Sequence, residues 1–167
     1  FRSWARLARP VVKEYQEEYY CRIALALDTY VAPKRRPKAE GFPDLEAAIS
    51  LAASLADAYS RGDYLLDLFA AGPDLFVFRT GRSISHLDNI LEILACVEEC
   101  RRSPFEKIAP ALAEELGGIS GVIYVLLDWD EARRRFVRQG VESGAAARVF
   151  VVREGKPTEP WDEDEAW

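Results

Sequence analysis

The chain has no methionine, a single histidine and only three cysteines among its 167 residues. Zinc sites draw on several His or Cys ligands at short spacings, and no Cys-x-x-Cys pair occurs here, so the sequence argues against zinc. Three scattered cysteines also argue against a disulfide framework. We expect Cys21, Cys96 and Cys100 to fill core positions as small apolar groups.

Long apolar runs are missing as well. No stretch approaches the roughly 18 apolar residues of a membrane span, and no signal peptide is visible. Because the chain opens with Phe1 and has no methionine, we expect it to be a fragment of a longer protein. Its 22 basic and 28 acidic residues give a net charge of −6, and residues 162–165 are all acidic. This balance does not indicate a nucleic-acid partner or an anionic membrane surface.

Common enzyme motifs are absent from the sequence. There is no P-loop, no GxGxxG fingerprint and no GxSxG nucleophile elbow. Ser85 and His86 are neighbours in the chain, which does not make them a nucleophile and its base. The length and the 49% hydrophobic content suit one globular domain with a proper core. The absence of these enzyme motifs from the sequence favours a binding domain over an enzyme.

An alternation of apolar strands and amphipathic helices predicts the fold class. Strands are predicted over 21–28, 64–70, 75–78, 122–127 and 148–152. Helices are predicted over 45–59, 85–100, 104–117 and 131–139. This order predicts an α/β fold with a doubly wound, mostly parallel sheet and one antiparallel edge strand. We expect residues 1–20 to be an arm from a preceding region, 21–154 the domain, and 155–167 a loosely ordered acidic tail.

Two of the apolar strands end in an aspartate, Asp28 and Asp128. The carboxyl ends of parallel strands lie on one edge of a sheet, so the two carboxylates are candidates for a shared site. Ser85 lies in a polar turn between them in the chain, and this oxygen set suits Mg²⁺. Helix capping is the alternative, with Ser85 pairing with Asp88 and with Asp128 or Asp130 capping the basic helix. A capping box is also predicted at 103–106. Capping explains each of these residues without a metal ion.

Several short stretches, which together span nearly the whole chain, follow the sequence pattern of a known family. They are RSWARLARPVVKEYQEE at 2–18, LDT at 27–29, AASLA at 52–56, GR at 81–82 with Leu87, Ile90 and Leu91, and VLLDWD at 125–130. The chain resembles the family catalogued as domain of unknown function 58. This resemblance implies a von Willebrand factor A-like fold. It also implies a cytoplasmic domain of a membrane-anchored parent, whose membrane helices precede the sequence. Members are commonly encoded beside MoxR-type AAA+ ATPases, which implies an adaptor or assembly role.

The resemblance also implies a degenerate metal-ion-dependent adhesion site. Such sites use Asp-x-Ser-x-Ser after the first strand, a Thr in a middle loop and an Asp after a later strand. The matching positions here are Asp28, Tyr30, Ala32, Ser85 and Asp128. Because both serines of the first motif are replaced, we expect at most weak Mg²⁺ binding by Asp28, Ser85 and Asp128, and no certain cofactor.

We expect a predicted rim, formed by residues 28–43, 80–86 and 128–131, to bind a protein partner. Its candidate contact residues are Thr29, Tyr30, Lys34, Arg35, Arg36, Arg82, His86 and Asp130. The positive charges at 34–38 are either simply solvated or dock an acidic surface or a phosphate. The arginines of the basic helix are expected on an exposed face: Arg133, Arg134, Arg135 and Arg138.

The sequence supports two functional hypotheses. The first is a protein-interaction module that works with a MoxR-type AAA+ ATPase. The alternative is a Mg²⁺-dependent phosphohydrolase that uses Asp28 and Asp128. The second hypothesis lacks a visible oxyanion donor or acid/base histidine.

Overall fold

A computed structural model describes residues 21–39, 41–62, 64–71, 75–79 and 86–160. Strands and helices alternate along this part of the chain. The strands are β1 (Cys21–Leu27), β2 (Tyr64–Ala71), β3 (Leu75–Phe78), β4 (Gly121–Leu126) and β5 (Ala146–Val151). The helices are α1 (Pro43–Ser60), α2 (His86–Ala95), α3 (Phe105–Glu115) and α4 (Glu131–Glu142).

The strands form one sheet in the order β3-β2-β1-β4-β5. Strand β1 pairs in parallel with β2 and β4, and β4 pairs in parallel with β5. Strand β3 pairs antiparallel with β2 and forms an edge of the sheet. The predicted α/β class, with a mostly parallel sheet and one antiparallel edge strand, is confirmed. The arrangement is compatible with a von Willebrand factor A-like or Rossmann-like fold.

Side chains of β1 alternate between two apolar layers, as the pleat of a strand requires. Leu25 and Leu27 pack into the layer that includes residues of α1 and α2. Ala24 and Ala26 face the other layer, which includes Phe105 of α3 and further residues of α4. The central strand is therefore buried on both faces, which explains its uninterrupted apolar sequence.

Helix α2 ends at Ala95, five residues before the predicted end. The backbone of Cys100 bonds instead to the chain that follows β1. Cys100 N–H donates to Thr29 O at 2.8 Å, and Val31 N–H donates to Cys100 O at 3.0 Å. The prediction of a core cysteine at Cys96 is wrong, since Cys96 is exposed, and Cys21 and Cys100 are only partly buried.

Helix α3 begins without the predicted capping box. Its N-cap is Pro104 and no side chain caps it, while the carbonyl of Pro104 accepts from Lys107 N–H and Ile108 N–H. By contrast, Asp130 does cap α4, accepting from Arg133 N–H at 3.0 Å. The capping prediction is therefore confirmed at Asp130 and wrong at 103–106, while Ser85, the predicted cap of α2, lies outside the described residues.

Helix α4 continues through Gly140, three residues past its predicted end. A Cβ atom at Gly140 would lie 1.9 Å from the hydroxyl oxygen of Tyr124 on β4. The glycine therefore lets α4 approach the sheet closely. None of the helices in the described part of the chain combines the length and the hydropathy that a membrane span requires.

Candidate functional site

The four parallel strands, β1, β2, β4 and β5, end on one side of the molecule. We call the described segments that follow β1, β4 and β5 there the carboxyl edge: residues 28–39, 41–42, 127–130 and 152–160. The carboxyl edge also includes the loop 96–104, which bonds to the segment after β1. Open α/β sheets place their ligands at this edge. The two strand-end aspartates, Asp28 and Asp128, both belong to it.

Asp28 is buried, with 1% of its surface exposed. One carboxylate oxygen accepts from Tyr30 N–H at 2.7 Å. The other accepts from Leu127 N–H at 2.9 Å and from the Arg133 Nε–H at 2.6 Å. Asp28 thus connects the end of β1 to the end of β4 and to helix α4.

Arg133 is buried as well, with 3% exposure, so its predicted place on an exposed helix face is wrong. Besides the bond to Asp28, its guanidinium donates to the Asp130 carboxylate and to Tyr30 O, the latter at 2.9 Å. The rings of Tyr30 and Phe105 each have their centroid 5.4 Å from the guanidinium carbon. Ionic, hydrogen-bonding and cation–π contacts therefore all hold this side chain.

Of the other arginines of α4, Arg135 and Arg138 are exposed as predicted. Arg134 is half-buried and pairs with Glu159 at 3.1 Å. The burial of Arg133 has a signal in the sequence, because it lies four residues before Val137 and seven before Gly140. That spacing puts all three on one helix face, and this face is the buried one.

Burial is the largest influence on the Asp28 carboxyl and raises its pKa, with Arg133 and the two backbone N–H groups acting against it. For Arg133, burial alone lowers the pKa, but attraction to Asp28 and Asp130 outweighs it and raises the value. The guanidinium therefore stays charged, and it faces the Asp28 carboxylate inside the protein.

Asp128 has different partners from Asp28. Its carboxylate pairs with Arg153 and accepts from the Thr158 N–H at 2.8 Å and hydroxyl at 2.6 Å. Partial burial alone would raise the pKa of Asp128. The bonds from Thr158, Arg153 and Trp129 N–H outweigh burial, so the pKa is lowered. None of these partners is shared with Asp28.

The segment after β5 is attached to the domain through these contacts. Thr158 bonds to Asp128, and Glu159 N–H donates to Trp129 O at 2.9 Å. A loosely ordered tail is predicted from residue 155; within it, Thr158 and Glu159 bond to the residues after β4 and to the first turn of α4. Residues 1–20 and 161–167 lie outside the described residues.

The donors around Asp28 do not fit a divalent cation. Three hydrogen-bond donors already occupy its oxygens, and one of them is the cation Arg133. In the described part of the chain, no group of three or more His, Cys, Asp or Glu could hold a metal ion. Ser85 lies outside the described residues, so the three-residue Mg²⁺ site with Asp28 and Asp128 stays a prediction.

The structure distributes the predicted rim residues between the interior and the surface. Thr29 is fully buried, and Tyr30 and Asp130 are half-buried around Arg133. Lys34 and Arg36 are exposed. Arg35 is half-buried, Arg82 lies outside the described residues, and His86 is the first residue of α2.

Buried Asp44 holds the basic loop in place, a role that we did not predict. Its carboxylate pairs with Arg35 and accepts from Glu154 N–H at 3.1 Å. The Glu154 side chain in turn pairs with Lys38. The loop after β1 is therefore fixed to the start of α1 and to the segment after β5. An acidic residue in the first turn of a helix is ordinary, so no sequence pattern indicates this role.

Arg101 braces the same loop from the other side. Its guanidinium donates to Arg35 O at 3.2 Å and lies 5.1 Å from the ring centroid of Phe42. Lys34 and Arg36 form no ion pair with another described residue and remain exposed. The loop therefore presents two exposed positive charges on a braced backbone.

Comparisons of this chain with protein-family models, curated proteins and solved structures found no match. The resemblance to the domain of unknown function 58 family therefore stays a prediction.

Proposed function

We propose that this domain is a protein-interaction module whose carboxyl edge binds an acidic surface of a partner protein. The observation that carries the proposal is the braced loop that exposes Lys34 and Arg36. Exposed charges on a fixed backbone favour complementary partners and lose little freedom on binding.

The alternative, a Mg²⁺-dependent phosphohydrolase, receives less support. Such chemistry requires carboxylates that are free to bind a metal or to attack a phosphorus atom. Asp28 is bonded to Tyr30, Leu127 and Arg133, and Asp128 is bonded to Arg153 and Thr158. Both carboxylates therefore have a connecting role, which favours binding over hydrolysis.

The family resemblance suggests a particular partner. We propose that the partner is a MoxR-type AAA+ ATPase, and that the domain faces the cytoplasm as part of a membrane-anchored protein. The exposed basic loop supports only the chemical class of that partner, an acidic protein surface.

The test is binding of the purified domain to the MoxR-type ATPase of the same organism, measured by biolayer interferometry. We expect Lys34→Glu with Arg36→Glu to weaken binding about tenfold or more, which is a loss of about 1.4 kcal/mol. The matched control reverses two exposed arginines away from the edge, Arg61→Glu with Arg138→Glu, and should leave binding unchanged.

Two outcomes contradict the proposal. Absence of binding by the wild-type domain overturns the ATPase as partner. Equal weakening by the two double variants overturns the carboxyl edge as the binding surface, because a general charge effect then explains the loss.

A further inference from the structure

We infer that Arg133 is the resident cation of the carboxyl edge, so that this edge is organised without a divalent metal ion. The guanidinium bonds directly to an Asp28 oxygen, as a bound metal ion would, and it is part of the polypeptide. The part of this inference that concerns partner binding rests on the proposed function. The part that concerns metal independence does not.

The first step is the need for a counter-charge. A carboxylate buried to 1% exposure is unstable as an anion unless a cation or several donors accompany it. Asp28 receives both, since Arg133 Nε lies 2.6 Å from one oxygen and two backbone N–H groups complete the set. The buried Asp28 carboxylate therefore has a cationic partner that belongs to the chain itself.

The second step is the shape of the surroundings. Mg²⁺ requires a nearly octahedral shell of oxygen ligands and retains several waters. Around Arg133 the acceptors are Asp28, Asp130 and Tyr30 O, and they match the planar fork of a guanidinium. The rings of Tyr30 and Phe105 lie within cation–π distance of it, a setting that suits a weakly hydrated guanidinium and opposes a hydrated ion.

The third step connects this cation to the exposed loop. Tyr30 N–H donates to Asp28, and Tyr30 O accepts from Arg133, so both sides of one residue depend on the ion pair. Lys34 and Arg36 follow Tyr30 in the same loop. Arg133 therefore acts as a positioning residue for the surface that we propose binds the partner.

The first experiment uses the free wild-type domain and needs no partner. Thermal unfolding is followed in three solutions, which contain EDTA, millimolar Mg²⁺ or millimolar Mn²⁺. The NMR signal of the Arg133 Nε–H is recorded in EDTA and in Mg²⁺. We expect the same midpoint in all three solutions and a solvent-protected Nε–H signal that Mg²⁺ does not move. A midpoint raised by Mg²⁺ or Mn²⁺, with the rise abolished by Asp28→Asn, overturns the inference.

The second experiment measures partner binding by Arg133→Lys, Arg133→Met and the control Arg135→Met, which removes an exposed arginine of the same helix. Binding by wild type should be equal in EDTA and in Mg²⁺. Arg133→Met should weaken binding about tenfold, Arg133→Lys less, and the control not at all. Wild-type binding that EDTA abolishes overturns the inference, and so does an Arg133→Met domain that binds as well as wild type. If Arg133→Met does not fold, the wild-type measurements in EDTA decide the matter. Absence of wild-type binding in any solution contradicts the proposed function alone, because the first experiment stands without it.

Discussion

The two strand-end aspartates occupy equivalent places in the sheet and have different surroundings. Asp28 follows β1 and pairs with a guanidinium that is itself 3% exposed. Asp128 follows β4, and its side chain and that of Arg153 each keep 19% of their surface exposed. The first pair is enclosed by aromatic rings, and the second lies under a short segment of chain.

This difference shows how one residue type at one kind of position acquires two roles. Asp28 joins β1, β4 and α4 inside the domain. Asp128 fastens the segment after β5 to the surface. Because an unpaired charge is much costlier in the interior than near water, the two sites should respond very differently to the same kind of substitution.

The largest expected effect comes from breaking the buried pair. Arg133→Met leaves the Asp28 carboxylate enclosed without its cation and should lower the free energy of unfolding by about 3–5 kcal/mol. The equivalent change at the exposed site, Arg153→Met, should lower it by about 1 kcal/mol. Urea denaturation of both variants measures this difference in the free energy of unfolding. Equal losses in the two variants would contradict the expected difference between the buried and the exposed site.

Gly140→Ala tests the difference between the Asp28 and Asp128 sites through the position of α4. The added Cβ meets the buried Tyr124 hydroxyl and pushes α4, which carries Arg133, away from the sheet. We expect a net loss of about 1–2 kcal/mol in urea denaturation, since overpacking outweighs the helix preference of alanine. NMR shifts should change at Asp28 and stay constant at Asp128. In a Tyr124→Phe background the loss should be smaller, and an undiminished loss would exclude this contact as its cause.

Thr158→Val acts on the exposed site alone. It removes the hydroxyl that lies 2.6 Å from the Asp128 carboxylate while keeping the shape of the side chain. We expect a loss of roughly 1 kcal/mol in the free energy of unfolding. Faster proteolysis after residue 152 should accompany it, with the Asp28 resonances unchanged. Movement of those resonances would show that the two sites are coupled.

The smallest expected effect is a dependence on pH. The folded-state pKa of Asp128 lies below its ordinary value of 3.8. Its contribution to stability is therefore complete above that value and is lost as the pH falls through the lowered pKa. The pKa of Asp28 is raised, so its protonation in this range favours the folded state. Urea denaturation between about pH 5 and pH 2 should show a loss that Asp128→Asn reduces and Asp28→Asn does not.

The sequence predicted the fold because the signals for it are local. Apolar runs such as 122–127 and the helical periodicity of 45–59 depend on neighbouring residues, and both elements formed close to their predicted bounds. The end of α2 was missed because Cys100 bonds to the chain after β1, which no local pattern reveals.

The site was less predictable, because its contacts join distant parts of the chain. Asp28 was identified from its place after an apolar strand, but its partner Arg133 lies 105 residues away. The run of arginines in α4 indicated an exposed face, and only the spacing to Val137 and Gly140 distinguishes the buried one. The role of Asp44 rests on the backbone of Glu154, which carries no sequence signal.

The parallel bridge between Tyr30 and Cys100 joins the loop after β1 to the loop after α2. The amides of Val31 and Cys100 share this bridge, so their hydrogen exchange should require one common opening event. Because this surface is already formed, a partner can bind it without a preceding folding step of the loop. For the partner proposed above, we expect electrostatic steering to set the association rate, so that this rate falls as ionic strength rises.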